Sequence, residues 1–253
     1  MLTERMHLMM RSSKKWLFSI LAVICLCVFG GVVAKMAYDF NTDRTDQKWY
    51  REASPNITYD ENDNNTDNGI SELIKQNTDC VAWVRIEKTK IDYPIMQTKD
   101  KPQYYLRRNF NKEYSYIGTP FLDAACDMET SPNLIVYGHN MRDGTMFADL
   151  IKYKQKQFGV NNPIIQLITP NGCRRYVVIA VARVRNDDAW YSYTDTTDEI
   201  MFNEFKSHIE SKSLYTINGK MEYGDSFLTL STCEYSQTNG RLIIIAKRSE
   251  GSC

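Results

Sequence analysis

Three histidines in 253 residues, no C-x-x-C pair and no surplus of either charge mark what this chain is short of. Lysine plus arginine and aspartate plus glutamate number 31 each, so no overall basic field exists to hold nucleic acid, and that class of partner is excluded. The histidines and cysteines are too scattered for metal-ligand spacing, so neither a metal nor any other cofactor is expected. No internal repeat breaks the chain into a solenoid or propeller.

One long apolar run is present. "WLFSILAVICLCVFGGVVA", Trp16 to Ala34, carries no charge and is long enough to cross a bilayer core of about 30 Å as a helix. Arg5, Arg11, Lys14 and Lys15 precede it, whereas Asp39, Asp43 and Asp46 follow, which puts the N-terminus in the cytoplasm by the positive-inside bias. A cleaved signal peptide or a buried core helix is the alternative; the run exceeds a usual signal core, and only Ala34 and Ala37 offer a cleavage site. The expected organisation is a cytoplasmic tail over 1–15, a single membrane span over 16–38 in contact with lipid, an extracellular tether over 39–69 and a folded domain over 70–253. The tether rests on "DENDNNTDNG", Asp60 to Gly69, which has too little apolar surface to offset ordering.

Beyond residue 70 the pattern is mainly β. "VAWVRI", "NLIVYG", "IIQLI", "RRYVVIAVARV", "SFLTLSTC" and "RLIIIAKR" are separated by turn clusters such as "PNG" and "TNG". Helical patterns interrupt at "ISELIKQN", "TMFADLIKYKQ" and "DEIMFNEFKSHIES"; in the last, Ile200, Met201, Phe205, His208 and Ile209 form the expected packing stripe.

Seven cysteines are present, two of them, Cys25 and Cys27, inside the apolar run. The remaining five are an odd set, so at least one thiol stays free, and pairing among Cys80, Cys126 and Cys173 is left open. Cys233 ends "SFLTLSTC" and Arg241 opens "RLIIIAKR". If the seven-residue loop between them joins antiparallel neighbours, the two face each other across the strand pair, and the guanidinium lowers the cost of negative charge on a thiolate or an oxyanion. His139, just past the strand "NLIVY", is the histidine placed to move protons there, since His7 precedes the apolar run and His208 belongs to a packing stripe.

"TLSTC" with an arginine eight residues on, and "YGHN" about ninety residues before the cysteine, resemble the sortase family. "YGHNMRDGTMF", the helix-like insertion and the helical start of the domain are most similar to its class B. The resemblance implies a closed eight-stranded β-barrel with appended helices and a cysteine transpeptidase. Such an enzyme cleaves the sorting signal of an exported protein after threonine and joins the protein, through a thioacyl enzyme, to an amine of a peptidoglycan precursor. It implies Cys233 as nucleophile, His139 as acid and base, and Arg241 with the Glu234 backbone N–H as oxyanion donors. For the signal it suggests Leu106, Ser231, Tyr191 and Tyr193, each of which has an ordinary packing alternative. A rival of another class is a non-catalytic surface adhesion or interaction domain, in which Cys233 would be structural.

Overall fold

The computed structural model describes residues 2–54, 69–217, 219–251 and 253, with the side chains of 2–15 left aside. Most of the expected "DENDNNTDNG" linker falls outside these residues. The chain divides into two compact units, Met1–Thr45 and Asp46–Cys253. The first consists of most of helix α1 (Leu2–Ala53), whose apolar side chains from Trp16 to Phe40 are exposed, and which is long and apolar enough to cross a membrane. Helical structure thus continues past the expected end of the span at residue 38, and its last residues, from Asp46, belong to the second unit. There Tyr50 is buried and its hydroxyl bonds to Thr119 Oγ1 at 2.9 Å.

The second unit is the barrel. After α2 (Ile70–Gln76) come β1 (Cys80–Arg85), β2 (Asp92–Met96), β3 (Phe121–Leu122), β4 (Asn133–Tyr137), the short α3 (Lys156–Asn161), β5 (Ile164–Thr169) and β6 (Gly172–Arg185). Helix α4 (Glu199–Lys212), β7 (Ser213–Thr216), β8 (Phe227–Cys233) and β9 (Gly240–Arg248) complete it. The strands run in the order β5-β1-β2-β3-β4-β8-β9-β6-β7, and β5 also pairs with β6. That pairing closes eight strands into a ring and leaves β7 as a short flap on β6, which removes the open edges of the sheet.

Alternation along β8 and β9 sorts their side chains into two cores. Leu228, Leu230, Leu242 and Ile244 fill the barrel with Trp83, Ile95 and Ile135. Phe227, Ile243 and Ile245 point outward into a second core under α4, with Trp190, Phe202, Phe205 and Ile209. Asp198 caps α4 by accepting from the N–H groups of Ile200 and Met201. The stripe differs from the expected one: Phe202 is buried and Ile200 is 70% exposed, because the face carrying Phe202, Phe205 and Ile209 packs on Phe227 and Trp190. The stretch "TMFADLIKYKQ" becomes a 3-10 segment, Phe147–Lys154.

Cys173 on β6 is bonded to Cys253, while Cys80 and Cys126 are free and buried, their thiols pushed up to about 12 by burial and so chemically inert.

Phe205 is fully buried where α4 meets β8 and the Trp190 turn. Phe205→Ala is expected to lower the unfolding free energy by about 3–5 kcal/mol, measured by urea denaturation of the detergent-solubilised chain. A loss below 1 kcal/mol would mean that α4 is not integral to the barrel.

Candidate active site

The site forms where β8 emerges from under α4. Strand β8 lies between β4, to which it is parallel, and β9, to which it is antiparallel. Tyr137 pairs with Ser231, so His139 follows β4 beside the end of β8, and Cys233 stands opposite Arg241 in the ladder. The strands therefore bring together one residue from each of three chain segments.

Hydrogen bonds lock this junction. Gly138 N–H donates to Ser231 O at 3.1 Å, Thr232 Oγ1 donates to Gly138 O at 2.8 Å, and Asn140 Nδ2 donates to Cys233 O at 2.9 Å. A side chain at Gly138 would collide with the Phe147 ring, which is why the segment leading into His139 can lie flat on the core. In the turn between β8 and β9, a Cβ on Gly240 would strike the Glu234 carbonyl.

A cleft of about 410 Å³ opens at the junction, lined by His139, Cys233 and Arg241 together with Leu106, Phe121, Tyr137, Tyr191 and Ser231. Its size suits a short peptide segment or a drug-sized ligand. The aromatic wall is continuous: Phe121 contacts Tyr137, Tyr137 contacts Tyr191, and Tyr191 OH is 3.0 Å from Ser231 Oγ. Asp123 accepts from Tyr137 OH at 2.6 Å and holds that ring in place.

His139 Nε2 is 2.9 Å from the Leu106 carbonyl. Since a carbonyl only accepts, the proton sits on Nε2, and Nδ1 carries the lone pair. Burial lowers the imidazole's pKa; the Leu106 carbonyl works in the opposite direction, and the charges of Arg107 and Arg241 add to the lowering. His139 is thus held neutral, as a base must be. Cys233 is a free, half-buried thiol, unlike inert Cys80 and Cys126. Neither a disulfide nor distance from His139 and Arg241 marks it as structural.

Of the eight residues read from the sequence, six line the cleft and two do not. Tyr193 is buried under α4 against Phe205 and His208, because the 3-10 turn Ala189–Ser192 sends Tyr191 to one side and Tyr193 to the other. Glu234 faces away from the cleft: its carboxylate takes Lys154 Nζ at 2.8 Å and Ser236 Oγ at 2.6 Å. Burial alone would raise its pKa, but those partners hold it lowered. The Glu234 N–H, expected as an open oxyanion donor, is committed to Gly240 O at 3.0 Å. Sequence reading missed Phe121, Tyr137, Asp123 and Asn186 as lining residues. Tyr137 carried a usable signal, since it directly precedes "GHN"; Phe121 and Asn186 carried none. Among the described residues no cluster of histidine, cysteine and carboxylates could hold a metal.

Comparison with known proteins agrees with this geometry. The sortase domain family matches residues 84–249. Sortase B of Listeria monocytogenes is 38% identical over 182 residues, covering 70% of this chain and 73% of that protein. Sortase B of Staphylococcus aureus is 30% identical over 178 residues, covering 69% and 72%. The crystal structure of Clostridium perfringens sortase B superposes with a TM-score of 0.67 at 32% identity, covering 71% of this chain and 99% of that one. A Staphylococcus aureus sortase B–substrate complex gives 0.71 at 25% identity, covering 86% and 99%. With the closed eight-stranded barrel and a thiol, an imidazole and a guanidinium around one cleft, these similarities place the chain in the sortase family, as a class B-like cysteine transpeptidase that anchors proteins to the cell wall.

Proposed function

We propose that Cys233 is the nucleophile, His139 the proton carrier and Arg241 the oxyanion partner of this transpeptidation, on a sorting signal cleaved after threonine. The observation that carries the reading is that these three side chains, from β8, the segment after β4 and β9, line one cleft. The thiol proton passes to His139 Nδ1 as Sγ attacks the threonine carbonyl carbon. The C–N bond breaks, and the imidazolium protonates the leaving amine. In the second half an amine of a cell-wall precursor attacks the thioester, the C–S bond breaks, and His139 takes the amine proton and returns it to sulfur. Each tetrahedral intermediate places an oxyanion beside Arg241, and the guanidinium is the charged donor for it, because the Glu234 amide is already bonded.

The cleft's aromatic wall with Leu106 and Ser231 receives the signal peptide. A fixed wall of rings holds a short extended segment with little ordering cost, which is how a proline-containing signal of the N-P-x-T kind is recognised. Helix α1 serves as a single-pass anchor, with the N-terminus cytoplasmic and the barrel outside; its exposed apolar surface from Trp16 and the basic residues before it support this.

With fluorogenic N-P-x-T and L-P-x-T peptides, Cys233→Ala abolishes cleavage, and Arg241→Ala lowers kcat/KM on the order of 100-fold or more. Cleavage that survives the loss of Cys233 rejects the assignment. The pH profile of cleavage follows from His139: burial and two nearby guanidiniums disfavour the imidazolium, so the neutral base persists to lower pH. The acid limb of kcat/KM is expected to have its midpoint below the ordinary imidazole range, and a midpoint above that range contradicts the role given to His139.

A further inference from the structure

The cleft does not use all the cationic and aromatic surface around Cys233. Close to His139 and Cys233 lie Arg107, Tyr116, Arg142 and Tyr235, all exposed and none of them lining the cleft. Arg107 follows Leu106, whose carbonyl binds His139, and its guanidinium stacks on the Tyr116 ring at 4.7 Å and donates to the Tyr116 carbonyl. Tyr235, two residues past Cys233, reaches Asn140 O through its hydroxyl at 3.3 Å. Cys233, Arg142, Arg241 and Tyr116 all act electrostatically on its phenol. Among the described residues no carboxylate forms an ion pair with Arg107, Arg142 or Arg241. The nearby acids are engaged elsewhere: Asp143 by Thr145, Glu113 by Asn109, and Glu234 by Lys154.

A thioacyl enzyme must be approached from the side where its proton acceptor stands, since the amine surrenders a proton to His139. The signal peptide occupies the cleft, which neither Arg107 nor Arg142 lines. Arginines on an exposed rim without a carboxylate partner among the described residues, one of them held over an aromatic ring, are arranged to take an oxyanion through paired N–H groups.

Resting on the transpeptidase reading above, we infer that Arg107 and Arg142, framed by Tyr116 and Tyr235, form the acceptor subsite, and that it selects amines bearing an oxyanion such as a carboxylate or phosphate. The rim draws the oxyanion and leaves the amine, at the other end of the acceptor, facing the thioester. It therefore lowers the KM for the acceptor and favours aminolysis over hydrolysis, without contacting the sorting signal.

The test uses the full chain in detergent with a cleavable signal peptide, following the thioacyl enzyme on Cys233 by intact-mass spectrometry and partitioning to amide by chromatography. Triglycine and triglycinamide, which differ in the carboxylate, are compared as acceptors, and inorganic pyrophosphate is added as a competitor against triglycinamide. The expected result is a five- to twentyfold preference for triglycine in wild type, expressed in acceptor KM, that falls to less than twofold in Arg107→Gln/Arg142→Gln. The ratio between two acceptors cancels any change that the loss of Arg107 makes to His139. Competition by pyrophosphate that the double substitution removes, with no preference for triglycine, assigns the rim to a phosphate-bearing acceptor. Arg142→Gln alone, at an exposed position where the side chain has no hydrogen bond among the described residues, gives a partial loss and guards against misfolding of the double variant. No preference and no competition in wild type, or either effect surviving in the double variant, overturns the inference while the transpeptidase reading stands. Failure to detect any thioacyl enzyme on Cys233 overturns both.

Discussion

Everything at this site depends on β8 being held on both edges. Its parallel pairing with β4 fixes where the chain leaves for His139, and its antiparallel pairing with β9 fixes Arg241 opposite Cys233. A slip of one residue in either ladder would turn Cys233 from the outer face into the barrel core, or turn Arg241 from the cleft into it. The two cores prevent that slip. Leu228 and Leu230 are committed to the barrel interior and Phe227 to the core under α4, so neither face of β8 can be exchanged. Catalytic geometry is thus a by-product of apolar sorting.

The same logic explains which parts of the site were legible in the sequence. Cys233 and Arg241 are eight residues apart across one turn, so alternation alone placed them face to face. His139 stands out because it follows a strand end, whereas His7 precedes the apolar run and His208 lies in a helical packing stripe. Closure of the barrel was only implied by resemblance, because the β5–β6 pairing and the short β2, β3 and β7 leave little periodicity to read. Phe121 enters the cleft from a strand of two residues, too short for any pattern to reveal.

The misplacements are equally physical. Tyr191 and Tyr193 look alike in "WYSYTD", yet a 3-10 turn rotates neighbouring side chains by about a third of a revolution, and only one of them can face the cleft. The Glu234 N–H as a donor is implied by the family resemblance alone, and nothing in "TCEYSQTNG" announces that Gly240 brings its carbonyl back onto that N–H. Local backbone bonding of this kind is decided by the turn, and one sequence does not display it.

The Cys173–Cys253 bridge has a bearing on how the enzyme would fail. It makes a covalent ring of residues 173–253, within which Tyr191, Ser231, Cys233 and Arg241 all lie, while Leu106 and His139 lie outside. Under stress that parts β4 from β8, the sulfur and the guanidinium stay tethered in one loop and the imidazole departs. The damaged enzyme would still hold its thiol and guanidinium but have no means of handing a proton to the departing group, so inactivation would set in ahead of global melting.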